Sequence, residues 1–479
     1  MTLGLKVTGG ITVTGGVIVG TGGLKVTVGG VTVGVSGISV TGGLSSMDLG
    51  IKVTGGVTVT GGVVVSDEGL KIVDGGLTVQ TGGVEVTGGL TVMDLGLKLT
   101  GGATITGGIV VETNGLSVKG GVSAIDTGVK VTGGVTVTGG IVVGTDGIEV
   151  TGGLSVMNTG MKVTGGVTVT GGLAVGTDGI DILHGGLSVK VSGVAVTGGL
   201  SAMDTGFKVT GGISVTDGIV VGTAGIKVQL GGLTVDAGGV SATGGLSVMD
   251  TGLKVTGGIT VTDGIAVGTG GVKATGGLTV MDVGFKVTGG ATITDGLVVS
   301  TDGLAVTGGL TAMDSGFKVT GGITVTDGVV VGTGGIEIEL GGLTVTDGGI
   351  DVLGGVSIVN TGLKVTGGIT VTNGIIVGTG GIDVAVGGAT VQAGGVMATG
   401  GLTAMDTGFK VTGGVTVTGG IVVGTTGIKV TGGLTAMNNG FKVTGGVTVT
   451  GGVRIGTTGL HVTGGLSAMD EGLTVTGGA

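Results

Sequence analysis

Four Asp-Thr-Gly triplets, at Asp126, Asp204, Asp250 and Asp406, are the residues of this chain whose type and spacing come nearest to chemistry. Two such loops facing each other let a pair of carboxyls share one proton and act as general acid and base. Here the triplet recurs at a fixed phase, and Asn158, Asn360 and Asn438 stand at equivalent places. Asp and Asn serve alike as turn residues, whereas an amide cannot share that proton, so the triplet reads as a corner. Gly-Thr-Asp-Gly at 144–147 and 176–179 would suit calcium. That ion takes roughly six to eight oxygens, usually with several carboxylates, and most segments here carry one acid or none. His184 and His461 occupy non-equivalent, isolated positions, which argues against a zinc site or a histidine base. No Gly-Lys-Ser/Thr triplet is present, and Gly-x-Gly is too common to signal a nucleotide. The residues therefore predict no enzyme, no metal and no cofactor.

The triplet belongs to a larger marker, Met-Asp-x-Gly or a near variant. It begins at Met1, Met47, Met93, Ile125, Met157, Met203, Met249, Met281, Met313, Val359, Met405, Met437 and Met469. The spacings run 46, 46, 32 and 32 residues, three times over. The chain thus divides into super-repeats 1–156, 157–312 and 313–468, with 469–479 opening a fourth, and is expected to form one continuous rod. Met1 shares the phase of the later markers, and Gly477-Gly478-Ala479 stops just after a strand signal, so the chain is expected to be a segment of a longer array.

Between markers the chain is a string of words of six or seven residues, such as VKVTGG, VTVTGG, IVVGTDG and IEVTGG within 129–153. Each opens apolar–x–apolar, the period of a strand, and is rich in Val, Ile and Thr. Each closes on Gly-Gly, Asp-Gly, Asn-Gly or Thr-Gly, where glycine can reach positive φ and turn the chain. A hairpin meander so narrow would need a second layer, whereas a coil that wraps on itself supplies one. The predicted fold is all-β: a single-chain β-solenoid with three short strands per coil of 19–21 residues. Two strands per coil of about 13 residues is the alternative, and either way coils stack about 4.8 Å apart. Some 73 words then make about 24 coils and a rod on the order of 115 Å long.

The middle residue of each apolar–x–apolar word should face solvent. In the first word after a marker it is Lys in twelve of thirteen cases, including Lys52, Lys98, Lys130 and Lys208. In the second word it is Thr or Ser. In the third it is usually apolar, with Arg454 the exception, and Val64, Val143, Val220 and Val422 are expected to be exposed. Three words per coil makes a seven-word block move the marker one face forward and a five-word block one face back. The Lys and Val positions then walk across the faces and return, which suits contacts distributed around a shaft. Lys52, Lys98, Lys130, Lys208, Val64, Val143, Val220 and Val422 are accordingly the candidate assembly surface.

Composition narrows the classes further. Glycine makes up 130 of 479 residues, but Pro, Cys, Trp and Tyr are absent, which excludes collagen and disulfide scaffolds. Apolar residues at 40% exclude glycine-rich disorder. A formal net charge of −10 with only 10% charged residues gives no basic footprint for nucleic acid. Glycine interrupts every apolar run well short of the roughly 18 residues a spanning helix needs.

The chain as a whole resembles single-chain β-solenoid repeat proteins of the Gly/Thr-rich surface or fibre type. Its Asp-Thr-Gly resembles the aspartic protease signature, and its coils resemble those of hexapeptide acyltransferases, but neither likeness brings a catalytic set with it. Thr12/Thr14, Thr58/Thr60 and Thr136/Thr138 resemble the Thr arrays of β-solenoid antifreeze proteins, though the pair comes only once per block. The expected role is the rigid shaft of an extracellular filament, appendage or virion fibre. Its expected partners are copies of itself, end to end and side by side, with a tip or anchor domain elsewhere. Uncapped coils expose unpaired strand edges and favour stacking. An adhesin stalk or an ice binder is the alternative.

Overall fold

The structure is a computed structural model. It describes residues 4–406, 408–456 and 459–476. Met1 and the Gly477-Gly478-Ala479 end lie outside the described residues. The chain forms two compact units, residues 1–244 and 245–479.

In each unit every strand is three residues long, beginning with Leu5–Val7 in the first unit and Leu246–Val248 in the second. An apolar–x–apolar triplet places two side chains on one face and one on the other. The prevailing pattern is buried, outward, buried, as in Ile51–Val53, Val135–Val137 and Ile259–Val261. β-Branched side chains suit this half-buried surface, and the backbone pairing extends one residue beyond each triplet. In the first unit, Leu154 N–H donates to Gly172 O at 2.9 Å, and Met157 N–H donates to Val137 O at 3.0 Å.

Within each unit the pairings are parallel, and each strand pairs with the one three places along. Leu5 pairs with Leu24, Leu24 with Leu44, and Val63 with Val84. Those steps are the expected 19 to 21 residues, so the coil has three sides, not two. Each unit is a parallel β-solenoid of three sheets, in which words stack in matching phase. The ladder crosses the super-repeat boundaries unchanged: Val143 pairs with Val163 in the first unit, and Ala312 with Val331 in the second.

In each unit the interior is a column of Val, Ile and Leu with some Ala. The chain's five phenylalanines all lie in it, each as the first strand residue after a marker: Phe207 in the first unit, Phe285, Phe317, Phe409 and Phe441 in the second. Ser46 is the buried polar residue of the described core, and its hydroxyl donates to Leu49 O. Burying a hydroxyl is tolerable only with such a partner.

Glycine's role at the corners differs in part from the sequence reading. Gly115 and Gly179 do adopt left-handed conformations, with φ of 93° and 92°. Gly152 does not. A Cβ there would lie 2.7 Å from Gly134 N in the coil below, so what that position requires is close approach of two backbones.

Candidate assembly surfaces

Parallel stacking turns the outward residues into columns about 4.8 Å apart along each sheet. In the first unit, Lys52, Lys130 and Lys208 share the second sheet, while Lys98 stands on the third. Val64 and Val220 share the first sheet. In the second unit, Val422 is outward and pairs with Lys442. The marker thus walks from face to face within each unit and returns, as its seven- and five-strand spacing predicts. In the first unit the structure spreads the candidate residues over all three sheets rather than one patch.

One of them is corrected. Val143 is the third residue of strand Ile141–Val143 and is 1% exposed; its neighbour Val142, 51% exposed, is the outward residue. Val142 lies in register between Ser123 and Lys162, both outward. An offset of one residue in a strand exchanges the two faces completely.

Charge is distributed by the same columns. On the first unit's second sheet Lys52 stacks on Lys71 and Lys208 on Lys227, while Lys130 Nζ lies 3.5 Å from Glu149 Oε2. In the second unit Lys318 Nζ lies 3.4 Å from both Glu337 Oε1 and Glu339 Oε1. The hydrogen bond to Glu339 and the charge of Glu337 raise the Lys318 pKa above its ordinary value of 10.5. A raised folded-state pKa stabilises below the unfolded value and loses that effect as pH rises through the folded one. The contribution is therefore complete at neutral pH and disappears only under strongly alkaline conditions. His184, isolated in sequence, has a partner in space: its Nδ1 lies 3.0 Å from Asp204 Oδ2 of the next coil. His461 pairs in register with Lys442.

The marker itself is a corner held by the next coil. Thr269 Oγ1 donates to Asp250 O and Thr425 Oγ1 to Asp406 O, each at 3.0 Å. Thr145, Thr177, Thr223, Thr333 and Thr379 donate to the carbonyls of Asp126, Asn158, Asp204, Asp314 and Asn360 in the same way. The Gly before each of these Thr residues admits the close approach. A Cβ on Gly144, Gly176, Gly222 or Gly268 would overlap the main-chain carbonyl oxygen of Ile125, Met157, Met203 or Met249. The main-chain oxygen, not the Asp or Asn side chain, is the acceptor, which explains why the two interchange. The sequence signal was a Gly-Thr whose Thr lies 19 residues after the marker's Asp or Asn.

This geometry accounts for both motifs that suggested chemistry. Asp126 and Asp204 occupy the same corner of the first unit four coils apart, about 19 Å at the strand spacing. A shared proton needs carboxyls in contact. In Gly-Thr-Asp-Gly at 144–147 and 176–179, the Thr hydroxyl is engaged by the marker below. Thr177→Val keeps the side-chain shape and removes the hydroxyl, and is expected to cost about 1 kcal/mol. Hydrogen exchange should show the loss as faster opening at residues 157–160 and unchanged protection several coils away.

Among the described residues no helix is long and apolar enough to cross a membrane. The fold defines each unit as a parallel β-solenoid within one chain. No protein-family model, curated protein or solved structure matches it.

Proposed function

We propose that the protein is structural: the rigid shaft of an extracellular filament, appendage or fibre, built by coil stacking and lengthened by end-to-end association. The observation that supports this reading is uniformity. Among the described residues all 73 strands are three residues long, and within each unit successive strands are only three or four residues apart. Repeat proteins that bind or catalyse usually do so through loops inserted on one face. Among the described residues the connections are too short to carry an inserted loop of that kind. A stack of this kind gains stability from each added neighbour, which favours a long shaft.

Electron microscopy of the isolated full chain should show filaments, and aligned specimens should diffract at about 4.8 Å along the filament axis. Globular particles, or a helical circular dichroism spectrum, would overturn the proposal.

A further inference from the structure

We infer that the third sheet of the first unit is a lateral pairing face, and that it takes the same face of a second copy in antiparallel orientation. The sheet runs from Val17–Val19 to Leu233–Val235, a dozen strands. From Ser39 to Thr234 its outward mid-strand residues are Ser, Thr or Ala at every strand but one, where Lys98 stands. The other two faces of this unit differ. The first carries Lys25, Glu85, Lys162 and Asp181 at these positions, and the second carries Lys52, Lys71, Glu149 and Lys227. A chain of net charge −10 repels its copies, and this face is where that repulsion is weakest.

Three further properties select a second copy as the occupant. Ser and Thr hydroxyls both donate and accept, so a face of hydroxyls is complementary to itself. The side chains are short, so two sheets can close to about 10 Å with their columns in step. A strip about 55 Å long and about 12 Å wide buries about 1,300 Å² over both partners, within the range of stable interfaces. A polysaccharide is disfavoured because the chain has no Trp or Tyr and its phenylalanines are all in the interior, leaving no aromatic platform.

Lys98 sets the direction. A parallel pair in register would place Lys98 against Lys98. A two-fold axis between strands Leu116–Val118 and Val135–Val137 instead sets it opposite Ser155, and sets Thr78 and Thr58 opposite the smaller Ala174 and Ala195. Such an isologous contact closes on itself as a pair.

The chain has no cysteine, so single-cysteine variants report cleanly. With a short bis-maleimide, full-length Thr136→Cys should convert mostly to a cross-linked dimer, while Thr168→Cys on the second sheet should stay uncross-linked. Thr136→Lys combined with Ser155→Lys should abolish the lateral pair in sedimentation without altering the circular dichroism spectrum; Thr168→Lys should leave it. Equal cross-linking at residues 136 and 168 overturns the inference, as does a lateral pair that persists in the double Lys variant. So does a wild-type chain that shows thermal hysteresis of freezing but never pairs, since the face would then meet ice. Filaments that lengthen without the Thr136→Cys cross-link would refute the pairing and leave the shaft intact; cross-linked pairs that never lengthen would do the reverse.

Discussion

Replacing Gly176 with alanine is expected to open the coil around it, at a cost of about 3 kcal/mol or more. The added Cβ would overlap the main-chain oxygen of Met157, an atom fixed by the ladder and unable to swing aside as a side chain could. Relief requires lengthening the bond from Gly176 N–H to Val156 O, now 2.8 Å, and with it the Thr177 clasp on Asn158. Gly89 is the control: a Cβ there would lie 3.5 Å from its nearest neighbour, Gly108 O, an ordinary contact. Gly89→Ala should be neutral, or stabilising by about 0.5 kcal/mol through the reduced entropy of the unfolded chain. Denaturant melts of the two variants, with hydrogen exchange to locate the change, should separate them clearly. Equal stabilities would show that close approach is not what selects glycine at these corners.

The second large effect is expected in the interior. Val163, the last residue of strand Met161–Val163, is 0% exposed, and its column neighbours Val143 and Ile182 are apolar and buried. Val163→Asp would place a carboxylate there with no cation or hydrogen-bond donor among the adjoining core side chains. The expected cost is at least about 3 kcal/mol, with the carboxyl taking up a proton to avoid burial as an ion. Its pKa in the folded state would rise, so the variant should be least unstable in acid and lose stability as pH increases through the carboxylate range. Each coil touches only its neighbours, so disruption should stay local rather than unfold the whole chain at once. Exchange protection should fall over a few coils on either side of residue 163. Lys162→Asp, one residue earlier but outward, should change little, apart from acquiring a like charge beside its column partner Asp181.

Most of the fold was legible because each word carries its own instructions. Apolar–x–apolar fixes a strand and its faces, and words of six or seven residues leave only a small choice of coil. Three per coil followed from the enclosed volume, and the pairing of Leu5 with Leu24 bears it out. The in–out assignment was legible where polarity marks it, as at Lys130 in VKV. It was legible even in all-apolar triplets such as Val63–Val65 and Ile219–Val221, where position alone marks the middle residue as outward. The same rule applied to Ile141–Val143 points to Val142, so Val143 was an offset of one residue within the word. The clasp on the marker was hidden for a different reason. Its donor and acceptor lie 19 residues apart and meet only when coils stack, so no local window contains both. The same holds for His184 and Asp204, and for the hydroxyl face of the first unit, whose members are scattered through every block of the sequence.

The walk of the marker from face to face limits how such a gene can grow. A five-strand or a seven-strand block is not a whole number of three-sided coils. Gaining or losing one would leave the interior packed, since words are interchangeable there, but every outward residue beyond the change would be turned by one side. A 46-residue block and a 32-residue block taken together make four complete coils, and inserting or deleting that sum leaves all three outer surfaces in place. Unequal recombination that keeps a surface function should therefore fix changes whose strands total a multiple of three, that sum being the smallest, so that length can drift among variants while the pattern presented to neighbours does not.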